Sequence, residues 1–183
     1  MLDGDGRFQR FSAADPAALA ARTAEDLGAL AQDAAGMLPL RRLELLSRAG
    51  SSLTVLRREG EAEAVLVEAL ALARALGERD REAQVLNNLA TNTQYLGRRE
   101  AALGLFAEAL ARAKGCSAWA QRDFILHHWG RCLVEMGRIT EARGCFEAAL
   151  AVREAKGEGF YLESTRRALA ALEGVDPVLR VGL

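Results

Sequence analysis

The chain has 183 residues, of which half are hydrophobic and 5% aromatic, with 24 basic and 25 acidic side chains. This length suits one compact domain or a short repeat array, and the abundance of Ala, Leu, Glu and Arg favours helices. The near-zero net charge excludes a whole-chain field that would attract nucleic acid or anionic lipid, so any such attraction must be local.

The N-terminal part is predicted to contain a flexible segment and then a helix. Residues 1–14 include an acidic, glycine-rich run at 3–6 that resembles a calcium loop but lacks its ligand spacing and closing Glu. Asp15 and Pro16 then supply an N-cap residue and a first-turn proline. The sequence therefore predicts a capping helix over about 16–35.

The central part of the chain repeats every 40 residues without a gap. Within each period the apolar residues recur at spacings of three and four, which predicts a pair of amphipathic helices. Gly97 and Gly137 lie between the two helices of the second and third units, where Arg57 stands in the first. The recurring positions are Leu46, Leu86 and Leu126; Gly50, Ala90 and Gly130; Leu56, Leu96 and Met136; Ala62, Ala102 and Ala142; Leu66, Phe106 and Phe146.

These units resemble the tetratricopeptide repeat, whose signature is a bulky residue, Leu-Gly or Leu-Ala, a turn glycine, Ala, an aromatic residue and Ala-Leu. The matching residues of the second unit are Leu86, Leu89, Ala90, Gly97, Ala102, Phe106, Ala109 and Leu110. The period of 40 exceeds the usual 34 and is similar to the extended repeats of kinesin light chains and of bacterial repeat-containing regulators. HEAT-type repeats of the same length are the alternative.

The resemblance implies an all-α fold, a right-handed superhelical solenoid of helix pairs. Three full units over about 43–159 form a repeat domain at 15–174, with the helix at 16–35 as its N-terminal cap. A second capping helix is expected over about 160–173, followed by a C-terminal tail at 175–183.

The resemblance also implies that the first helix of each unit lines a concave groove. Its side chains, transferred by register, are Arg48, Ser51, Asn87, Asn88, Thr91, Gln94, Tyr95, Phe124, His127, His128, Arg131, Glu135 and Arg167. Asn and Gln carry both a donor and an acceptor, so they suit the backbone of an extended peptide, and Arg131 suits a carboxylate. The alternative is that these side chains only solvate an exposed helix face.

The sequence predicts no enzyme, no cofactor and no metal site. His128 and Cys132 share a helix face, but two ligands do not make a site, and Cys132 falls at a packing position of the repeat. Neither a hydrolytic triad nor a glycine-rich phosphate loop is present. Arginines recur at 58, 98 and 138, but neighbouring glutamates partly cancel this edge, which argues against nucleic acid.

The compartment is predicted from the cysteines and from hydropathy. Cys116, Cys132 and Cys145 are odd in number and lack CxxC spacing, which argues against a disulfide framework. No stretch has the length of a membrane span, and residues 1–12 lack the apolar core of a signal peptide. The sequence therefore predicts a cytoplasmic protein without a membrane partner.

The leading functional prediction is a scaffold or sensor module that binds a protein or peptide segment in its groove. The alternative is a structural role, in which the chain forms a homodimer through the C-terminal helix and the apolar tail and the groove stays empty. A small-molecule or nucleic-acid-binding regulatory module is a minor alternative.

Overall fold

The computed structural model describes residues 2–4, 6–32, 36–157 and 159–173. Within them lie eight α-helices, and the β-pairing is one antiparallel bridge between Leu2 and Phe8. The helices are α1 Pro16–Gln32, α2 Pro39–Val55, α3 Glu59–Leu76, α4 Arg79–Tyr95, α5 Arg99–Ala113, α6 Arg122–Glu135, α7 Ile139–Lys156 and α8 Gly159–Glu173, with a 3-10 turn at Ser117–Gln121. The predicted all-α fold of helix pairs is confirmed, and the predicted tail at 175–183 lies outside the described residues.

The chain divides into two compact units. One comprises residues 11–118, in which α1 packs on α2, α2 on α3, α3 on α4 and α4 on α5. The other comprises residues 1–10 together with 119–183, in which α6 packs on α7 and α7 on α8. Within each unit, therefore, helices that follow each other in the chain are also neighbours in space.

The turns between paired helices are built on a left-handed residue. Gly97 and Gly137 have φ angles of 84° and 73°, and Arg57 adopts the same conformation at 62°. The next residue folds back to close the helix: the N–H of Arg58 donates to the carbonyl of Leu53 over 2.9 Å. This is a Schellman motif, in which glycine is favoured because a side chain in this conformation costs about 1 kcal/mol. Arg57 shows that the turn forms without glycine.

Small residues on the first helices let bulky residues of the second helices approach closely. A Cβ atom added at Gly50 would lie 2.5 Å from Leu66, and one added at Gly130 would lie 2.8 Å from the Phe146 ring. Both bulky side chains are fully buried. Because the interior is close-packed, neither has free volume into which it could retreat.

Gly130→Ala is expected to lower the free energy of unfolding by about 1–2 kcal/mol, because overpacking at Phe146 outweighs the better helix propensity of Ala. Gly144→Ala is the matched control, since Gly144 lies in α7 with no atom within 4 Å of its added Cβ. That change is expected to stabilise the unit by up to about 1 kcal/mol. Urea unfolding followed by tryptophan fluorescence measures both, and equal stability of the two variants would contradict this account of the packing.

Candidate functional site

Two charged side chains of α6 hold the main chain of the N-terminal segment. Arg131 and Glu135 are four residues apart, so they lie one turn apart on the same helix face. The Nε atom of Arg131 donates to the carbonyl oxygen of Phe8 over 2.9 Å, and the Phe8 N–H donates to Oε1 of Glu135 over 3.1 Å. Arg131 is only 3% exposed and the Glu135 side chain is fully buried. One residue of extended chain thus has both of its main-chain polar groups paired with α6.

The segment that presents Phe8 is a tight turn. The Asp3 N–H donates to the Arg7 carbonyl over 2.8 Å, and the Arg7 N–H donates to the Asp3 carboxylate over 2.8 Å. Gly6 closes the turn with a φ of 71°, a conformation that favours glycine. The sequence predicts a flexible segment at residues 1–14, and nothing in its composition indicates this turn.

The Phe8 side chain is the part of the segment that enters the unit. Its ring is 0% exposed and its centroid lies 6.1 Å from that of Phe146. The preceding residue, Arg7, places Nη1 3.5 Å from Oε2 of Glu135. Glu135 therefore meets a cationic side chain and an amide N–H from adjacent residues.

The two predicted histidines lie beside this contact and are neutral at neutral pH. Burial, together with the charges of His128, Arg153 and Arg131, holds the pKa of His127 well below its ordinary value. Burial and the nearby guanidinium groups lower the pKa of His128 to about 3. The His127 Nδ1 atom lies 3.2 Å from the Thr165 hydroxyl of α8. His127 thus serves as a neutral hydrogen-bonding group between α6 and α8, and neither histidine takes up a proton near pH 7.

A buried charge cluster ties the helices of this unit together, and sequence reasoning did not identify it. Asp123 accepts hydrogen bonds from Arg153 Nε over 3.0 Å and from Lys156 Nζ over 2.6 Å. Arg153 Nη1 also donates to the carbonyl of Tyr161 over 2.7 Å, so one guanidinium contacts α6 and α8 from its place on α7. The repeat offers one signal that could have found the cluster. The positions equivalent to Asp123 in the two preceding units hold the apolar residues Ala83 and Leu43, so an aspartate at this position is a departure from the repeat.

The other predicted groove residues of this unit lie apart from the Phe8 contact. The Phe124 ring packs edge-to-face on Tyr161 of α8, with centroids 4.8 Å apart. Arg167 is exposed on α8. The structure therefore brings Arg131 and Glu135 together around Phe8, with the histidines adjacent.

In the unit of residues 11–118 the predicted groove residues divide into buried and accessible sets. Asn87, Gln94 and Tyr95 are buried in the packing of α4. The accessible or partly accessible ones are Arg48, Ser51, Asn88 and Thr91. Arg48 Nε donates to the Asp26 carboxylate of α1 over 2.6 Å, and the Thr91 hydroxyl donates to the Asn87 carbonyl over 3.0 Å.

Sequence reasoning also missed Asn92, which is fully buried in the same unit. Its Nδ2 donates to the carbonyl of Glu59 over 3.0 Å, and its Oδ1 accepts from the hydroxyl of Thr54 over 3.1 Å. One amide thereby joins α4 to the start of α3 and to the end of α2. Its role is structural.

The arginines that recur in the turns are paired with glutamates. The pairs are Arg58 with Glu61, Arg98 with Glu63 and Arg138 with Glu141. These ion pairs neutralise the edge locally, so it offers phosphates little net positive charge.

The thiols and acidic groups provide no further centre in the described part of the chain. Cys132 is fully buried, and burial together with Glu141 raises the pKa of Cys145 to about 11. No three His, Cys, Asp or Glu side chains among the described residues are grouped so that they would hold a metal ion. None of the described helices combines the length and the apolar character of a membrane span.

Comparisons with known proteins bear on the fold. Residues 83–114, which cover most of α4 and all of α5, match the family described as Tetratricopeptide repeat. The crystal structure of BtubC (BKLC) from P. vanneervenii is similar, with a TM-score of 0.74 and 21% identity over 90% of this chain and 68% of that one. At this identity the likeness shows the fold alone, and no curated protein matches the sequence. Residues 83–114 therefore match a tetratricopeptide repeat, as the recurring signature predicts, and the chain has the fold of a helical-repeat protein.

Proposed function

We propose that this chain is a cytoplasmic protein-interaction module that binds an extended segment of a partner protein along its first helices. The observation that carries the proposal is the pairing of Arg131 and Glu135 with the carbonyl and N–H of Phe8. Every non-proline residue has these two main-chain groups, so side chains that pair with them bind extended chain of many sequences. Stacked helical repeats commonly present extended surfaces that are used for binding.

The energetics of the α6 site suit such binding. Hydrogen bonds to charged groups contribute about 1.5–3 kcal/mol each, roughly twice a neutral pair. Both side chains are held on one helix at a spacing of four residues, so their separation is set before a segment binds. A donor and an acceptor one turn apart thereby form a preorganised clamp for one residue of main chain.

The equivalent register positions on the first helices of the other unit also carry polar side chains. Ser51, Thr91 and Arg131 occupy the same register position, as do Arg48, Asn88 and His128. Ser51, Thr91 and Asn88 are partly accessible and carry neutral donors and acceptors. We infer that they contact partner main chain in the unit of residues 11–118, as we propose for Arg131 and Glu135 in the other unit.

Self-association through α8 is the second candidate function. Phe160 is 70% exposed at the start of that helix, next to the exposed Tyr161. Large exposed aromatic side chains are enriched at interfaces. In this alternative the partner is a second copy of the chain, bound through α8, and no segment of another protein binds the α6 site.

A peptide selection tests the proposed function. Random peptides displayed on phage are selected against the full-length chain and against its Phe8→Ala variant, and the binders are titrated calorimetrically into the wild type and into an Asn88→Ala, Arg131→Met variant. Met keeps much of the volume of Arg131 while removing its donors, so the fold is expected to persist. We expect the double substitution to weaken binding fivefold or more, because it removes one predicted contact from each unit.

Arg138→Ala is the matched control, since this arginine is exposed and lies in a turn, away from the first-helix face. It should leave peptide affinity unchanged. Failure to enrich any peptide, or binders that bind the double variant as tightly as the wild type, would contradict the proposed function.

A further inference from the structure

We infer that the N-terminal segment, residues 2–10, is a built-in ligand of the α6 site, and that the site accepts a partner segment in which a basic residue precedes an aromatic one. This inference rests on the proposed function and names the chemistry of the ligand. The segment comes from the same chain, yet it contacts α6 in the way that we propose for a bound peptide.

The contacts of the segment divide between general and specific ones. The pairing of the Phe8 carbonyl with Arg131 and of its N–H with Glu135 is independent of sequence. The specific contacts are the buried Phe8 ring over Phe146 and the guanidinium of Arg7 beside Glu135. A partner that reproduces both kinds of contact needs a basic residue followed directly by an aromatic one.

The aromatic side chain is the main anchor. Complete burial of a phenylalanine contributes about 1.5–3 kcal/mol, and aromatic residues in desolvated pockets are frequent hot spots of binding. The cationic side chain adds less, since its nearest distance to the Glu135 carboxylate is 3.5 Å. We therefore expect an aromatic residue to be essential in the partner segment and a basic residue to be favourable.

The segment is held at few points, so a competitor can replace it. Phe8 is the one buried residue among the described positions from 2 to 10, where Leu2, Asp3, Gly4 and Gln9 are exposed. A core helix, by contrast, is buried along a whole face. Loss of one ring contact and a few hydrogen bonds would release the segment while the helices remain paired.

Covalent attachment makes the built-in ligand an effective competitor. A tethered segment has an effective concentration of the order of millimolar near its site, so a segment whose own dissociation constant lies well below that concentration suppresses a competing partner by a large factor. The wild-type chain should therefore bind a matching peptide more weakly than a chain whose own Phe8 has been removed.

The test uses the full-length chain and a fluorescent synthetic peptide that reproduces residues 2–12. Binding is measured by anisotropy to the wild type and to Phe8→Ala. We expect the peptide to bind the Phe8→Ala chain at least tenfold more tightly than the wild type, because the tethered segment has then lost its main anchor. A peptide with Phe8→Ala in its own sequence should bind that chain at least tenfold more weakly, and Arg131→Met in the Phe8→Ala chain should have a similar effect.

Equal affinity for the two chains, or no binding to either, would overturn the inference and make the segment a fixed part of the unit. If Phe8→Ala does not fold, hydrogen exchange on the unmodified chain decides. A saturating concentration of the peptide should then speed amide exchange of residues 6–10 at least fivefold and leave α4 unchanged, whereas unaltered exchange at residues 6–10 would overturn the inference.

The two proposals fail in distinguishable ways. One outcome is that displayed peptides bind through Arg131 with equal affinity to the wild-type chain and to the Phe8→Ala chain. That result would support the proposed function and would overturn the inference that residues 2–10 are a built-in ligand. If no displayed peptide binds either chain, both fail.

Discussion

Replacement of Asp123 by Ala is expected to lower the free energy of unfolding of its unit by about 3–5 kcal/mol. The Asp123 carboxylate is fully buried and pairs with both Arg153 and Lys156. Lys156 is partly exposed and can turn its ammonium group to water, but the Arg153 side chain is 2% exposed and cannot. The substitution therefore leaves a buried guanidinium without its counter-charge, which is the costly way to break such a pair.

Tryptophan fluorescence reports this loss selectively, because Trp119 and Trp129, the two tryptophans of the sequence, both belong to the unit of α6, α7 and α8. Urea unfolding curves of the wild type and of the Asp123→Ala variant give the difference in their free energies of unfolding. Arg138→Ala is the control: it breaks an exposed pair with Glu141 in the same unit and should cost at most about 1 kcal/mol. Equal effects of the two substitutions would show that the buried cluster is not a principal stabilising element.

The stability of the same unit is expected to fall as the pH is lowered from 7.5 to 5. In the unfolded chain His127 and His128 take up protons near pH 6.5, whereas in the folded chain the pKa values of both are lowered, that of His128 to about 3. The unfolded state therefore binds more protons in this range, and the free energy of unfolding rises with pH. At pH 5 His128 alone should cost about 2 kcal/mol relative to pH 7.5, and His127 shifts stability in the same direction.

Carboxyl groups titrate mostly below pH 5, so between pH 5 and 7.5 the two histidines of the chain are the main side chains that change charge. Urea unfolding at several pH values, followed by fluorescence, measures the dependence. His128→Gln keeps a hydrogen-bonding side chain and removes the titration, so the variant should show a clearly shallower dependence than the wild type. A wild-type stability that stays constant over this range would contradict the burial of the imidazoles in neutral form.

The helix pairs could be predicted from the sequence because their determinants are local and repeated. Gly97 and Gly137 mark left-handed turns, and a strict period of 40 aligns apolar positions whose spacing is that of helices. Pro16 marks the first residue of α1. α2 likewise begins at a proline, Pro39, which is the same first-turn signal as Pro16.

The contact between the N-terminal segment and α6 could not be predicted, because its determinants are distant in sequence. Phe8 is buried against Phe146, which lies 138 residues later, and no periodic pattern links the two. A short segment rich in glycine and charge carries no helical or strand signature of its own. Its conformation depends on a pocket that forms only when α6 and α7 have paired.

The candidate site was predicted in part. Register transfer selected Arg131 and Glu135, and the structure brings these two together around a main-chain segment. It did not separate Asn87 and Gln94, which are buried in packing, from Asn88, because neighbouring polar residues on one helix look alike in sequence. The role of the whole set in binding a partner remains a prediction.

The most direct test of main-chain recognition is to replace single amides of a selected peptide by esters and to titrate each analogue into the chain. An ester has no N–H but nearly the same shape. If Glu135 accepts a main-chain N–H, one ester should weaken binding about tenfold or more, in line with the loss of a hydrogen bond to a charged group. The same ester should have little effect on a Glu135→Leu chain, whose side chain has no acceptor for the N–H. Peptide affinity that is insensitive to every ester would show that the face of α6 does not bind its partner through the main chain.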